Sequence, residues 1–415
     1  MLSPKEQPAE RSPAAACPPI APPHPTVASK RILYVQASLV PPPRDPRMDR
    51  FHALSETLAG DVLQPIWFHT PEEVEAEFGP QSYPVYTRGR FRYHWCLANA
   101  TGFRSRVKIF RFYLRHGLQL LRKERFDCIV AYSHMTTGVM AVLLKLLSGV
   151  PLIIELVIAP KLAYLADTPR PGLRARLLRV YSDVCLYLTA ALADRMHFLY
   201  PDALASYRWL RRRPNSVFHE FVPVSCIACR SNEGAQPFVL LVGAPWHRKG
   251  ADLLVKAFQR VTADFPEFSL KLLGHFPDRA ELEKIIGETP GVEILRARPN
   301  PETLEIMRQA AVFVLPSRNE GLPRALIEAM AAGVPVIASD VAGIPFLLRG
   351  GECGWLFPSG DVNGLVGSLR ACLGDAKSRA LMGARAHQHA HEDLNESVYV
   401  QAFTRMIHAA SNGHK

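Results

Sequence analysis

Short runs of apolar residues alternate along the chain with longer stretches in which apolar residues recur every three or four positions. In the first half, RILYVQAS (31–38), FDCIVAYS (126–133) and VPLIIELV (150–157) predict buried strands, and stretches such as GVMAVLLKLL (138–147) predict helices between them. This alternation is typical of βαβ units, in which helices cover the faces of a parallel sheet. The pattern therefore predicts an α/β fold.

The alternation stops in residues 223–236, where PVSCIACRSNEGAQ has no period and is rich in turn formers. It starts again with FVLLVGAP and continues through SLKLLGHFP, VEIL, VFVLPS and VPVIASD, with helical stretches between these strands. We therefore predict two Rossmann-like domains that face each other across a cleft. The predicted segments are a disordered proline-rich tail (1–29), an N-terminal domain (30–222), a linker (223–236), a second domain (237–390) and a C-terminal helix that can cross back to the first domain (391–415).

The two halves of the chain differ in net charge. The 415 residues, 48% of them hydrophobic, can bury large cores, and the whole net charge of +11 lies in residues 1–222. This asymmetry predicts an anionic partner for the first half. The most apolar stretch, 135–165, is interrupted by charges and prolines and does not predict a transmembrane helix. Eight scattered cysteines and no recognisable signal peptide favour reduced thiols and a cytoplasmic protein.

Two glutamates stand eight residues apart in PSRNEGLPRALIEAMAAGVPVIASDVAG (316–343). The proline and glycine positions predict a helix over about residues 322–332, so Glu320 precedes the helix and Glu328 lies within it. Their carboxylates are then on the order of 10 Å apart along the axis, which is too far for one metal ion but suits two parts of an extended ligand. The alternative is an N-terminal acid that stabilises its helix and a second, solvated glutamate.

A cationic turn follows the strand FVLLVGAP. His247, Arg248 and Lys249 precede a helix that begins near Ala251, and in a parallel sheet this turn lies at the same edge as Glu320. Cations beside a helix N-terminus suit phosphates, whereas the two acids suit hydroxyl groups. As an isolated pair, Arg248 and Lys249 would be ordinary solvated residues.

Three segments, GAPWHRKG, SRNEGLPRALIEAMAAGVPVIASDVAG and CGWLFPSGD, together resemble glycosyltransferase family 4, whose members are retaining nucleotide-sugar enzymes of the GT-B fold. The resemblance is specific over residues 237–375 and weaker over 30–222. It implies transfer of a sugar from a nucleotide-diphosphate sugar to a glycan or lipid-linked acceptor in polysaccharide or glycolipid biosynthesis. It also implies that no metal or other cofactor is needed.

The resemblance further implies roles for single residues. Glu328 would accept hydrogen bonds from the ribose and Glu320 from the donor sugar, while Lys249 would neutralise the departing diphosphate. Catalytic roles are implied for Glu320, Lys249, Arg248 and His134, and donor binding for Glu328, Gly321, Leu322 and Gly243.

The chain departs from the family pattern at several positions. Ala244 follows Gly243 where an arginine is common, and Phe346 replaces an acidic residue after the GIP turn. The glycine-rich loop after the first strand is replaced by LVPPPRDPRMDRF (39–51), whose arginines 44, 47 and 50 are candidates to supply positive charge instead.

Other functions are compatible with an α/β fold of this kind. A dinucleotide-dependent oxidoreductase is disfavoured because the first strand is not followed by GxGxxG. A catalytically silent nucleotide-sugar-binding partner, a sugar phosphorylase and a nucleotide-sugar epimerase share the fold. The lone Cys226–Cys229 pair is a weak metal candidate because no second pair completes a zinc site. The histidines at 387, 389 and 391 are weak candidates because helical geometry puts only the first and the last on one side. No nucleic-acid-binding module is recognisable.

The first half also contains a strongly basic segment. Eleven basic residues and one acid lie between residues 88 and 125, and FRSRVKIFRFYLRHGLQLLRK predicts a helix from Phe103 with Lys108, Arg111 and Arg115 on one face and Phe110, among other apolar residues, largely opposite. One interpretation is a surface helix that simply solvates its charges. The other is a peripheral enzyme whose basic helix binds the anionic cytoplasmic face of a membrane to reach its acceptor.

Overall fold

The computed structural model describes residues 29–36, 41–68, 70–98, 103–156, 173–205, 207–230, 235–276 and 279–412. Within them the chain forms two sheets with helices on their faces, as the alternating pattern predicts. The first sheet uses strands from the first half of the chain, and the second uses strands from residue 236 onward. The proline-rich tail predicted for residues 1–29 lies outside the described residues except for Ser29.

The first sheet has eight strands in the order β3-β4-β2-β1-β5-β6-β7-β8, all parallel except for the β3–β4 pair. Its strands are β1 (Lys30–Val35), β2 (Leu58–Ile66), β3 (Val85–Arg88), β4 (Phe91–Leu97), β5 (Cys128–Tyr132), β6 (Leu152–Leu156), β7 (Arg195–Phe198) and β8 (Asn215–Val217). Its helices are α1 (Arg50–Leu54), α2 (Pro71–Phe78), α3 (Phe103–Lys123), α4 (Thr136–Ser148), α5 (Leu173–Leu192) and α6 (Pro201–Ala205).

Both faces of the first sheet are buried, which explains its continuously apolar strands. Leu33 and Val35 of β1 face a layer in which α4 packs between α3 and α5. The alternate residues Ile32 and Tyr34 face the opposite side, where Phe51 of α1 packs.

The second sheet is fully parallel, with six strands in the order β11-β10-β9-β12-β13-β14. The strands are β9 (Gln236–Val242), β10 (Ser269–Gly274), β11 (Val292–Arg296), β12 (Ala310–Leu315), β13 (Val336–Ser339) and β14 (Trp355–Phe357). The helices are α7 (Trp246–Lys249), α8 (Ala251–Val261), α9 (Arg279–Ile286), α10 (Asn300–Gln309), α11 (Arg324–Ala331), α12 (Ile344–Leu347), α13 (Val362–Gly374) and α14 (Ala376–Asp393). This is the doubly wound order of a Rossmann domain, in which the chain changes direction between the two central strands.

The last helix returns to the first sheet. Helix α14 runs past residue 391, so the final helix, α15 (Glu396–Asn412), begins later than the sequence predicts. Asn395 sets this start because its side-chain oxygen accepts hydrogen bonds from the backbone N–H groups of residues 397 and 398. Phe403 and Met406 of α15 are buried in the same core as Ile32 and Tyr34.

Two further expectations concern helices and cysteines. None of the described helices combines the length and the apolar character that a membrane span requires. The seven cysteines in the described part of the chain are all free thiols.

Candidate functional site

The central strands of the second sheet end in two loops that form the candidate site. Strands β9 and β12 are neighbours, and the chain turns in opposite directions after them. Ligands of open α/β sheets bind at such a switch point, beyond the carboxyl ends of the strands. The short helix α7, which holds Arg248 and Lys249, follows β9, and the loop that holds Glu320 follows β12. The topology therefore brings the predicted cations and the first predicted acid together.

Lys249 and Glu320 form a direct ion pair across these loops. The Nζ atom of Lys249 donates to Oε1 of Glu320 at 2.6 Å, and Oγ of Ser317 donates to the same oxygen at 2.7 Å. The two charged side chains are only 12% and 9% exposed, so the pair lies in a largely desolvated setting. Low exposure strengthens the electrostatic interaction of such a pair with any ligand that replaces water.

Two glycines allow the segment that holds Lys249 to lie close to the loop that holds Glu320. A Cβ atom on Gly243 would lie 2.9 Å from Cε of Lys249, so the missing side chain leaves room for the lysine to fold back along the turn. Gly250 has a φ of +73°, and a Cβ there would lie 1.9 Å from the carbonyl oxygen of Pro316. Glycine is therefore required at the point where the two loops touch.

The residues that connect the segment after β9 to the loop after β12 were not predicted from the sequence. Arg318 forms a bidentate ion pair with Asp252 of α8, with distances of 2.8 and 2.7 Å, and also donates to the carbonyl oxygen of His247 at 2.5 Å. Its backbone N–H donates to the carbonyl oxygen of Arg248 at 2.8 Å. Arg318 lies inside the SRNEG motif, but its partner is 66 residues away, so no local signal identifies the pair.

The side chain of Arg248 turns toward its own loop. Its Nη2 atom donates to the carbonyl oxygen of Ala244 at 3.1 Å, the position where the family usually has an arginine. Lys249, and not Arg248, is therefore the cation that contacts Glu320.

Glu328 lies on α11, away from the ion pair. It is 7% exposed, and its Oε1 atom accepts a hydrogen bond from Nδ2 of Asn300, at the start of α10, at 3.2 Å. Helix α11 begins at Arg324, with Pro323 as the residue before its first turn rather than within it. Asn300 is a second partner that sequence reasoning missed, because it comes from a neighbouring βα unit.

The segment between the two glutamates offers backbone donors. The N–H groups of Gly321 and Leu322 donate no hydrogen bond to any residue of the described chain. The carbonyl oxygen of Gly321 accepts from the N–H of Gly343, at 3.0 Å, and a Cβ atom on Gly343 would clash with Leu322 and with Tyr200 of the first half. The two glycine turns are therefore packed together, next to a residue of the first domain.

His134 lies at the carboxyl edge of the first sheet, just after β5. Its Nε2 atom is 2.8 Å from Oγ of Ser182 on α5, and burial lowers its pKa to about 4, so the imidazole is neutral near pH 7. The hydrogen-bond partner of His134 belongs to the first domain, and the structure does not join this histidine to the ion pair of Lys249 and Glu320.

The arginines that replace the glycine-rich loop are already paired. Arg44 binds Glu77, Arg47 binds Asp45, and Arg50 is 11% exposed beside Glu155, with Glu220 also near it. The hydroxyl of Tyr34 contacts both Arg50 and Glu155. The positive charge of these arginines is thus compensated within the first domain.

The basic helix is present with the predicted start, at Phe103. Lys108, Arg111 and Arg115 are exposed on α3, and Tyr113 is buried opposite them. The placement of Phe110 on the buried side is wrong, because its side chain is 41% exposed. Tyr113 donates to the carbonyl oxygen of Gln36, at the end of β1, so the turns of α3 before Tyr113 extend beyond this edge of the sheet, and there Ile109 and Phe112 are still partly buried against the core.

The weak metal candidates have other partners. His387 and His391 both contact the carbonyl oxygen of Ala331, and His389 contacts Asp393. Across the described residues, no group of three or more histidine, cysteine or acidic side chains is close enough to hold a metal ion.

Comparison with known proteins gives a family match in the second half. A model of the family "Glycosyl transferases group 1" matches residues 236–375. The sulfoquinovosyl transferase SQD2 of Arabidopsis thaliana is 31% identical over 165 residues, which are 39% of this chain and 31% of that protein. The phosphatidyl-myo-inositol mannosyltransferase of Mycolicibacterium smegmatis is 33% identical over 146 residues, 35% of this chain and 38% of that protein. The chain thus matches less than half of the length of these relatives.

Solved structures resemble the chain over both sheets. Sucrose-phosphate synthase from Thermosynechococcus elongatus has a TM-score of 0.71 at 19% identity, over 92% of this chain and 98% of that one. Alr3699/HepE of Anabaena, in complex with UDP-glucose, has a TM-score of 0.67 at 14% identity, over 91% and 99%. Together with the two α/β units, these likenesses establish the GT-B fold, and residues 236–375, which include the switch-point loops, match the family of group 1 glycosyl transferases.

Proposed function

We propose that this glycosyltransferase moves a sugar, with retention of configuration, from a nucleotide-diphosphate sugar to a lipid-linked or otherwise membrane-held glycan. The observation that carries the proposal is the ion pair of Lys249 and Glu320 at the switch point, beside the N–H groups of Gly321 and Leu322, which donate to no residue in the described part of the chain. These groups combine one cation with acceptors and donors of the kind that a sugar diphosphate requires.

On the donor side, each charged residue has a distinct task. Glu328 accepts hydrogen bonds from the ribose hydroxyls, and Asn300 holds its carboxylate in place. Glu320 accepts from hydroxyls of the sugar, and the N–H groups of Gly321 and Leu322 donate to the same sugar. When the donor binds, Lys249 also donates to the phosphates. An ammonium group has three N–H donors, so it can contact Glu320 and a phosphate together.

The chemistry requires no nucleophile from the protein. The acceptor hydroxyl attacks the anomeric carbon on the face from which the diphosphate departs, the bond from that carbon to the phosphate oxygen breaks, and the departing phosphate oxygen takes the hydroxyl proton. Lys249 stabilises the charge that grows on the diphosphate, which is often the largest contribution to such catalysis. His134, neutral near pH 7, adds no positive charge at the opposite side of the cleft.

The membrane part of the proposal rests on α3. Lys108, Arg111 and Arg115 are exposed on one face, and cations near an anionic leaflet contribute about 1 kcal/mol each. The name of the mycobacterial relative denotes a lipid, phosphatidyl-myo-inositol, which agrees with an acceptor of this class.

Donor turnover tests the proposal and separates it from its alternatives. UDP-, GDP- and ADP-sugars are first screened by thermal shift, because a bound ligand raises the melting temperature. UDP-sugars come first, since HepE was crystallised with UDP-glucose. The selected donor is then incubated with and without a lipid-linked acceptor fraction. Release of nucleotide that depends on the acceptor supports a transferase, release that depends on inorganic phosphate supports a phosphorylase, and binding without turnover in any condition supports a silent partner.

A further inference from the structure

Helix α5 differs from an ordinary surface helix because it carries apolar residues on its exposed side as well as on its buried side. The side that faces the protein buries Ser182, Cys185, Leu186 and Thr189. The side that faces away carries large apolar side chains, each more than half exposed: Leu173, Leu177, Val180, Val184, Tyr187 and Leu188. At 100° per residue these positions form one outward stripe, which we call the α5 stripe. A contiguous exposed stripe of this kind marks an interaction surface.

The α5 stripe starts beside the cleft. Ser182 is hydrogen-bonded to His134, just beyond the end of β5, so the residues of α5 before Ser182 lie past the carboxyl edge of the first sheet. Nine residues at 1.5 Å each give an overhang of about 13 Å. Helix α3 overhangs the same edge, as the contact of Tyr113 with Gln36 shows. The apolar stripe and the basic helix therefore flank one edge, where the acceptor must enter.

The far end of the stripe has the composition of a membrane interface. The rings of Tyr187 and Trp209 lie 5.6 Å apart, and Trp209 is 41% exposed. With Arg212 and Arg213 they line an open groove of about 590 Å³. Tyrosine and tryptophan prefer the level of lipid headgroups, and arginine binds lipid phosphates there.

We propose that the α5 stripe inserts into the outer part of an anionic bilayer, with Tyr187 and Trp209 at headgroup level. The occupant is lipid rather than a second copy of the chain, because Arg211, Arg212 and Arg213 beside the stripe would repel the same arginines of a copy and attract anionic lipid. The depth of insertion is that of an interfacial helix, since α5 does not meet the requirements of a membrane span. For the acceptor this inference rests on the proposed function. A lipid that binds the end of the stripe beside the cleft would present its headgroup at the cleft.

The first experiment separates the stripe from the basic helix. Binding to vesicles of phosphatidylcholine and phosphatidylglycerol is measured by cosedimentation at low and at high salt, since salt screens the contribution of α3 but not apolar burial. At high salt, Leu177→Gln should weaken the residual binding about tenfold. The matched control is Leu381→Gln on α14, because Leu381 is 54% exposed and Leu177 is 61% exposed. The triple variant Leu177→Gln/Val180→Gln/Val184→Gln should abolish binding at high salt while its melting temperature stays unchanged.

The second experiment reports the position of the stripe without reference to activity. Vesicles should shift the tryptophan emission to shorter wavelength, and lipids brominated near the headgroup end of the acyl chain should quench it. Trp209→Phe should remove both effects. Binding that the triple variant retains, or emission that Trp209→Phe leaves unaltered, would overturn the inference, as would light scattering that shows a dimer in the wild type and a monomer in the triple variant.

These outcomes are distinct from failure of the proposed function. Vesicle insertion without sugar transfer would leave the inference intact and remove the transferase. Transfer of sugar to a soluble acceptor by a protein that does not bind vesicles would overturn the inference and the membrane-held acceptor, and would keep the transferase activity.

Discussion

The Nζ atom of Lys249 lies 2.6 Å from Oε1 of Glu320, although the two residues are 71 positions apart in the chain. One residue follows β9 and the other follows β12, so the pair exists only because these strands are neighbours. The pair also means that the cation proposed for the diphosphate and the acid proposed for the sugar are coupled before any ligand binds. Substitution of either residue therefore also removes the charged partner of the other.

Lys249→Ala should lower kcat about 100-fold, with a smaller change in donor KM, because the lost cation acts on charge that grows in the transition state. EDTA should leave the wild-type rate unchanged. The measurement is steady-state kinetics with and without the chelator. A rate that requires a divalent cation, or a Lys249→Ala variant that changes only KM, would contradict the role of Lys249.

Glu328→Ala and Glu320→Ala should both nearly abolish transfer, but for different reasons. Loss of a charged hydrogen bond costs roughly 1.5–3 kcal/mol, which corresponds to a tenfold or greater change. Calorimetry should show that Glu328→Ala weakens binding of the free nucleoside diphosphate, whereas Glu320→Ala spares it and removes the extra affinity that the sugar provides. Glu281→Ala on α9, an exposed glutamate, is the control. Equal losses for nucleotide and nucleotide-sugar in both variants would contradict the division of roles.

Because of the ion pair, the effects of Lys249→Ala and Glu320→Ala on donor binding should not add. Neighbours that share an interaction show coupling energies of about 0.5–3 kcal/mol in double-mutant cycles. The double variant should therefore bind donor more tightly than the sum of the single losses predicts. Strict additivity would mean that the ion pair is broken in solution.

Gly250→Ala should destabilise the protein more than Gly287→Ala, although both glycines have positive φ values, +73° and +57°. The left-handed conformation costs a residue with a Cβ atom roughly 1–2 kcal/mol at either position. Only at Gly250 does the added atom also clash with backbone, at the carbonyl of Pro316, whereas at Gly287 no atom lies within 4 Å. Urea unfolding measures the difference, and donor titration should show weaker binding for Gly250→Ala alone. Equal unfolding free energies would refute this packing argument.

Because His134 is buried in its neutral form, the free energy of unfolding should fall as the pH is lowered into mild acid. Its pKa is lowered to about 4 by burial, below the unfolded value of about 6.5, so the unfolded chain binds a proton first as the pH falls. The contribution of the neutral imidazole is complete above about pH 6.5 and is lost progressively toward about pH 4, by up to about 3 kcal/mol. His134→Gln should flatten the dependence of unfolding free energy on pH in this window. His275→Gln, at an exposed histidine, should not.

The sequence predicts local features of this protein better than contacts between distant segments. The loop and helix of SRNEGLPRALIEAMAAG, and the start of α3 at Phe103, follow from turn residues and periodicity that lie within a few positions. The ion pair of Arg318 with Asp252 does not, because it depends on which βα units are adjacent. The α5 stripe was missed for another reason: a helix with apolar residues on most sides is normally buried, and only the structure shows which side has no partner.

The two connections between the sheets meet at one place. The chain passes from the first sheet to the second near Ser225 and returns just before Glu396, and the backbone N–H of Ser225 donates to the carboxylate of Glu396 at 3.2 Å. Tyr399, one turn farther along α15, packs against Phe218 and Phe221 of the outgoing connection. Because the two connections lie side by side, any rotation of one sheet relative to the other would have to bend both connections at this one place.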